Sequence, residues 1–357
     1  MIKSSVLVAM SGGVDSSVCA LLLKNEGYAC KGVNMKLFSL DDIILDQSKS
    51  CCNPEEIKDA ERVANQLGMP FSVYDLSGDF CKNVIDYFVR TYEEGGTPNP
   101  CVECNRTMKF GKLYTLCYEL DCQKIATGHY ARITTDANGR ALLSVAKDRS
   151  KDQTYVLWSL TQNQLQHTLF PLGDYTKSEV REIALANGFC NANRAESQDI
   201  CFVPDGDYAA FIRHYTKKEF PTGNFVDTDG NILGEHQGII HYTIGQRKGL
   251  GLAFGKPTYV CKKSPIDHTV TLGSNEDLFT KDLTAERINL IAVDSIPQPL
   301  RVQAKIRYQA KPANAVVEQT GETTFRLRFD EPQRAISKGQ SVVLYSDDIV
   351  IGGGIIE

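Results

Sequence analysis

No apolar run in the sequence approaches the ~18–20 residues that a bilayer-crossing helix needs, so no membrane partner is expected. An export signal is not expected either. A single lysine and a short apolar stretch precede Ser11-Gly12-Gly13, which is not the pattern of a secretory leader. A cytoplasmic location is the expectation. Charge of one sign is also scarce. Lys and Arg number 39 against 44 Asp and Glu, a net charge of −5, so no overall basicity announces nucleic acid. Local basic surfaces, and not totals, carry phosphate recognition. Two motifs are notable for what they lack. The glycine pair at 12–13 is not followed by the Lys-Ser/Thr of a Walker A loop, which grips β and γ phosphates. The pair Cys101 and Cys104 has no second Cys-x-x-Cys to complete a zinc ribbon, and the adjacent Cys51-Cys52 are poorly spaced to supply one.

What is present is a chain of 357 residues, 42% hydrophobic and 23% charged, the make-up of a globular protein with two or three domains. Twelve cysteines without an export signal do not imply a disulfide framework. Cys19, Cys81 and Cys117 fall at helical spacing among apolar residues and read as small core residues.

The most informative stretch follows the apolar run Val6-Leu7-Val8-Ala9. It reads Met10-Ser11-Gly12-Gly13-Val14-Asp15-Ser16-Ser17 and leads into the apolar helical pattern Val18–Leu23. Glycines allow successive N–H groups to converge on an anion, and the helix that follows adds its own N-terminal N–H groups and dipole. The plain alternative is a tight strand-to-helix turn capped by Ser11 or Asp15. The strand–loop–helix context favours a phosphate loop, and without a Walker lysine it suits chemistry that releases pyrophosphate.

Strand patterns at Val6–Met10, Cys30–Met35, Phe71–Tyr74 and Lys124–Thr127 alternate with helical patterns near Ser16–Asn25, Glu55–Leu67, Asp79–Glu93 and Asn105–Glu119. Such alternation predicts an α/β fold with a parallel sheet, whose ligands bind beyond the carboxyl ends of the strands. Asn138-Gly139 predicts a hairpin, and Thr176 with Glu179 a capping box whose helix closes at Asn187-Gly188. After about residue 205 glycine-rich short strands are expected at Gly223–Gly234, Gly238–Tyr242 and around Gly245–Leu252. From about 276 the alternation is strand-like, with Val302, Ala304, Ile306 and Tyr308 sharing one face and Phe325–Phe329 repeating it. The reading is three domains: a catalytic α/β domain at 1–205, a small β-rich adaptor at 206–275 and a β-barrel at 276–357.

Gly95–Asn105 is a turn-rich loop with two prolines, and Cys104 stands just before the expected helix, where a helix N-terminus with Arg106 and Lys109 nearby would stabilise a thiolate. A second cysteine, Cys201, lies on a short apolar stretch after Glu196-Ser197-Gln198-Asp199. Three readings stand: zinc, disfavoured by spacing; an iron–sulfur cluster on Cys101, Cys104 and Cys201, allowed but not favoured; and a thiol pair that transfers sulfur by exchange chemistry.

Taken together, the glycine loop, Thr97-Pro98-Asn99-Pro100 with Cys104-Asn105 and Lys109-Phe110, Thr127–Arg132, and Glu196-Ser197 with Ile200-Cys201-Phe202 occur in order. Lys151–Tyr155, Gly245–Gly249 and Lys305–Tyr308 also fit. The chain resembles, over essentially its whole length, the tRNA-specific 2-thiouridylases, a family of PP-loop ATP pyrophosphatases. The resemblance implies ATP and Mg2+ as cofactors, with ATP held by Ala9, Met10, Ser11, Gly12, Gly13, Val14, Asp15, Ser16, Met35 and Gly128. It implies Cys104 as nucleophile and Cys201 as persulfide carrier. Asn99, Pro100 and Cys101 would surround an extruded uridine, and His129, Lys151, Asp152, Gln153, Arg307, Tyr308 and Gln340 would contact tRNA. The implied reaction adenylates the C2 oxygen of the wobble uridine in tRNAs for Lys, Glu and Gln, and sulfur from a persulfide donor or relay protein replaces it. Many family members carry an acid, a candidate proton carrier, where this chain has Cys101. For His129 the alternative is a hydrogen-bonded strand-end histidine, and Arg301, Lys305, Arg326 and Arg328 read equally as solvated charges. GMP and argininosuccinate synthetases share the loop but have no use for the Cys104/Cys201 pair, and a non-catalytic nucleotide or RNA binder has no use for loop and cysteines together.

Overall fold

The structure, a computed structural model, describes residues 3–38, 54–194, 200–252 and 255–357. Cys51, Cys52, most of the 36–52 segment and Glu196–Asp199 lie outside the described residues. β1 (Lys3–Ala9), β2 (Tyr28–Lys36), β3 (Phe71–Asp75), β4 (Lys124–Ala126) and β7 (Thr168–Leu169) form a parallel sheet in the order β3-β2-β1-β4-β7. Val6, Leu7 and Val8 are consecutive and all buried, because β1 is central and both its faces are covered. Helix Val14–Asn25 packs on one face with Val63, Val180 and Phe189, and Phe110, Leu113 and Leu116 pack on the other. The Thr176 capping box is formed, and Asn187 closes its helix with Gly188 at φ 66°.

Two helical stretches differ from expectation in the same way. Residues 77–93 and 100–119 each contain an interior π-helical segment, Cys81–Ile85 and Asn105–Lys112, between α-helical ends. The second stretch also starts earlier than Asn105. Asn99 is in extended conformation, its side chain accepts from the N–H groups of Cys101 and Val102, and Pro100 occupies the first helical position, which needs no N–H. Cys104 therefore sits in the second turn of a helix and not at its N-terminus. Cys101 takes the first-turn place.

The sequence also hid a helix at Tyr208–Thr216, capped by Asp207, whose Oδ1 accepts from Ala210 N at 2.9 Å. Beyond it, β8 (Gly223–Val226), β9 (Ile232–His236), β10 (Tyr259–Ser264) and β11 (Thr269–Gly273) pair in the order β10-β11-β8-β9. The expected strand at Gly238–Tyr242 is a 3-10 turn at Ile239–His241. Gly245–Leu252 is irregular: Gly245, Gly249 and Gly251 adopt φ of 88°, 76° and 70°, and three such turns within seven residues leave no room for a regular strand.

β12 (Phe279–Leu290), β13 (Leu300–Lys305), β14 (Ala313–Gln319), β15 (Phe325–Arg334), β16 (Ser341–Ser346) and β17 (Ile349–Ile356) close into an antiparallel barrel through β12–β17 pairing. Phe325, Leu327 and Phe329 fill it, as the alternation predicts. Tyr308 does not join Val302, Ala304 and Ile306 inside; β13 ends at Lys305, and Tyr308 is exposed. The hairpin of β5 (Arg132–Thr135) and β6 (Ala141–Ser144), with Gly139 in its turn, extends this sheet by pairing Ser144 with Ile349 of β17. One continuous core joins Leu7, Val33 and Phe110 to Val343, Tyr345 and Val350 of the barrel, and Trp158 lies in it.

Trp158 is the chain's one tryptophan, and a Cβ at Gly353 would lie 2.7 Å from its Cδ2 and 2.8 Å from Val342 O. Gly353→Ala is expected to destabilise the sheet–barrel junction by about 1–3 kcal/mol, seen as an earlier change of tryptophan fluorescence in a urea titration.

Candidate active site

β1 ends at Ala9, and Met10 continues its direction: Met10 N donates to Val33 O at 2.8 Å, and Asn34 Nδ2 donates to Met10 O at 2.8 Å. The chain then turns through Gly12 at φ 86° into helix Val14–Asn25, with Gly13 at the N-cap. Close packing explains the glycines. A Cβ on Gly12 would stand 2.2 Å from Glu56 O, and one on Gly128 would stand 2.8 Å from the carbonyl carbon of Asp15. Inside the loop, Ser16 Oγ donates to Gly13 O (2.9 Å) and accepts from Ser11 N (3.2 Å), while Ser17 Oγ donates to Gly13 O (3.1 Å). Ser11 stands exposed at the mouth. The result is a tight glycine turn at the carboxyl end of the central strand that leads directly into a helix N-terminus, the setting in which backbone N–H groups can meet an anion.

Asp15 does not project an unpaired charge into that pocket. Both its oxygens accept from Lys177 Nζ at 2.8 Å, and Oδ1 also accepts from Tyr130 OH at 2.7 Å. Lys177 is buried and Asp15 half-buried, so the pair is partly shielded from solvent. The sequence pointed to the capping box around Lys177 but not to the lysine itself, which reaches the loop across 162 positions of chain. Tyr130 lay within a recognised motif. Asn191 gave no signal at all, yet its Nδ2 donates to Gly12 O at 2.7 Å.

The expected site residues distribute as follows. Cys104 shares an apolar cluster with Leu37, Phe38 and Leu76, which follow the carboxyl ends of β2 and β3, so the Pro100–Cys104 helix lies at that end of the sheet. Cys104 is buried and Cys201 half-buried, and both belong to one apolar cluster with Phe80, Phe88, Met108 and Phe202. Phe202 holds Cys201 to the neighbouring helix, its ring centroid 5.7 Å from Phe80 and 5.2 Å from Phe88. Cys19 and Cys117 are buried as expected, and burial pushes the Cys117 thiol up to about 11, which suits a structural role. Among the described residues no group of three or more His, Cys, Asp or Glu is disposed to hold a metal.

His129 is buried against Phe110 and Phe170, its Nδ1 2.7 Å from Thr127 Oγ1, and burial with Lys109 nearby holds it neutral well below its ordinary pKa. Gln340 Nε2 donates to Thr97 O (2.9 Å) and Pro98 O (3.2 Å), so it clamps the loop before Cys101. Gln153 Oε1 accepts from Tyr130 N at 2.9 Å. Asp152 accepts from Ala146 N and Thr154 Oγ1, and burial raises its pKa. Tyr308 OH donates to Asp152 O at 3.1 Å, Lys305 lies over the rings of Tyr155 and Tyr308, and Lys151 and Arg307 complete this surface, half-buried and exposed respectively. Arg301 and Arg328 are paired with Asp330 and Asp282.

The family described as tRNA methyl transferase HUP domain matches residues 4–205, its PRC-barrel domain 209–274, and the aminomethyltransferase beta-barrel domain 280–356. The tRNA-specific 2-thiouridylase MnmA of Clostridioides difficile is 53% identical over 99% of this chain and 98% of that protein. The chain belongs to the tRNA-specific 2-thiouridylase family. Members from Clostridium kluyveri (49% identical, 99% of each chain) and Clostridium perfringens (47%, 100% of this chain and 99% of that one) are similarly close. The 2-thiouridylase architecture is thus a parallel-sheet HUP domain, a PRC-barrel domain and a closed six-stranded barrel. No helix among the described residues is long and apolar enough to cross a membrane.

One group ties the PRC-barrel domain to the loop that precedes Cys101. Lys263, in the PRC-barrel domain, donates from Nζ to Gly96 O at 3.2 Å and to Tyr242 O at 2.8 Å, and burial lowers its pKa to about 8. An unfolded lysine titrates near 10.5. Between those values the unfolded chain holds more protons, so this site's contribution to stability rises with pH, and below pH 8 its burial cost is constant. The Tm of the wild type minus that of Lys263→Met is therefore expected to increase by a few degrees between pH 8 and 10, measured by differential scanning calorimetry.

Proposed function

We propose that the protein thiolates uridine in tRNA at the expense of ATP, replacing the C2 oxygen of the wobble base in tRNAs for Lys, Glu and Gln. The carrying observation is that a phosphate-shaped loop at the end of β1 and a cysteine pair in one apolar cluster flank the same end of one sheet. A urea-like carbonyl is a poor electrophile with a poor leaving group. Adenylation of its oxygen corrects both defects and releases pyrophosphate.

Ala9–Ser16 would cradle the phosphates, with Met35 and Gly128 bounding the nucleotide and the Lys177–Asp15 pair bracing the start of the helix beside them. Asp15 is committed to Lys177 and Tyr130 and so does not suit a metal; magnesium would arrive on the nucleotide's own phosphates. Asn99 Oδ1 is spent on the helix cap, so its contact with the extruded base would run through Nδ2, with Pro100 and Cys101 beside it. The terminal sulfur of a Cys201 persulfide attacks C2 and AMP leaves, giving a Cys201–S–S–C2 linkage. The Cys104 thiolate then attacks Cys201 Sγ, which breaks that S–S bond, leaves 2-thiouridine and forms a Cys104–Cys201 disulfide. A cellular dithiol reductant restores the pair, and a persulfide donor or relay protein reloads Cys201. Lys151, Arg307 and Tyr308 would face the tRNA, whereas His129, Asp152, Gln153 and Gln340 support the elements that face it.

With ATP, a persulfide donor and unmodified tRNA, the wild type is expected to yield 2-thiouridine, AMP and pyrophosphate. Cys201→Ser is expected to release pyrophosphate, and AMP only as water attacks the adenylated C2 and regenerates uridine, with no 2-thiouridine by mass spectrometry of nucleosides; ADP as the nucleotide product overturns the reading. Arg307→Ala is expected to weaken tRNA binding and to reduce the slope of log affinity against log salt by about one, measured by filter binding at several salt concentrations.

A further inference from the structure

The peptide between Gly12 and Gly13 decides whether the loop presents a donor or an acceptor to an anion. In a trans peptide the C=O and N–H point in opposite directions, so fixing one fixes the other. Two glycines flank this peptide, and glycine leaves its rotation nearly unbiased. Something outside the loop must therefore hold it.

The holder is remote in sequence. Asn191 is 2% exposed, in the turn after helix Lys177–Ala186, where its neighbours Phe189 and Ala192 belong to the same core as Val14 and Val18. Its Nδ2 donates one hydrogen to Gly12 O at 2.7 Å and the other to Ser17 Oγ at 2.9 Å. Arg194 Nη1 approaches the same carbonyl at 3.5 Å. That arginine is itself held by Asp59 Oδ2 at 3.1 Å and Glu56 Oε1 at 3.9 Å. With Gly12 O drawn inward, the Gly13 N–H turns to the mouth, where its partner is Ser11 Oγ at a long 3.4 Å. A phosphate oxygen, charged and better placed, would displace that weak contact.

We propose that Asn191 is a positioning residue for the phosphate loop. By holding Gly12 O, it commits the Gly13 N–H to the pyrophosphate portion of the nucleotide, with Arg194 as a second, weaker holder. The assignment rests on the reading of the loop as an ATP site. It also ties that loop to the stretch of chain that leads to Cys201.

Asn191→Leu removes both donors at similar volume, and Asn191→Asp replaces them with acceptors at unchanged shape. Each is expected to raise the Kd for Mg-ATP, by equilibrium dialysis, and the KM for ATP in thiolation by about tenfold, as loss of a hydrogen bond to a buried acceptor implies. The kcat at saturating ATP and the affinity for tRNA are expected to change less than about threefold, a split that a merely structural role would not produce. Arg194→Met is expected to act in the same direction by about threefold. Folded Asn191 variants that bind ATP within twofold of the wild type overturn the inference. If both fail to fold, Arg194→Met decides, and an unchanged Kd overturns it. A wild type that binds no ATP overturns the ATP reading itself, which is a separate outcome.

Discussion

Gly96, Thr97 and Pro98 cannot satisfy their own backbone, and the arrangement of the whole molecule follows from where those bonds go. Buried N–H and C=O groups must find partners, since each orphan costs on the order of 1–3 kcal/mol. Gly96 N reaches Thr91 O within the same domain, but Gly96 O takes Lys263 from the PRC-barrel domain. Thr97 N donates to Lys338 O, and the Thr97 and Pro98 carbonyls take Gln340, both from the last barrel. A loop that is unstructured by its own sequence is thus rigid only when all three domains are assembled. Asn99 then converts that rigidity into the start of a helix, and the helix carries Cys101 and Cys104.

The barrel has a second hold on the same helix. Glu103, buried beside Cys104, is paired with Arg106 one turn on and with Arg287 of β12 at 3.4 Å. Arg287 also lies over the Tyr87 ring, 5.5 Å from its centroid, and adopts φ 51° at an irregularity in the strand. A buried carboxylate with cations from two domains is costly to separate. Movement of the barrel and movement of the cysteine helix are therefore linked by charge as well as by packing.

Much of this was legible in the sequence, for identifiable reasons. The glycine loop announced itself because backbone constraints and context coincide in ten residues. The capping box at Thr176 and the alternation at Phe325–Phe329 were equally readable, since both depend on near neighbours. The failures share the opposite property. Lys177, Tyr130 and Asn191 act on the loop from 115 to 179 positions away, and no local pattern carries that distance. The start of the cysteine helix was misplaced because Asn99-Pro100 read as loop, although asparagine followed by proline is also a helix cap. Tyr208–Thr216 was missed because glycine-rich strands on its far side set the expectation for the whole region.

The π-helical segment Asn105–Lys112 separates Cys104 from the part of the helix, Leu113 to Cys117, that is seated on the sheet. A π turn holds one residue more than an α turn, and such turns recur at functional sites. Each residue of an α-helix advances the side chains by about 100°. Relaxing the segment to plain α-helix at the same length, with Leu113 to Cys117 still seated, would turn Cys104 by about one residue's advance and swing it out of the cluster it shares with Cys201. The register between a scaffold and its reacting sulfur is thus kept by one irregular turn of backbone, which no single side chain could replace.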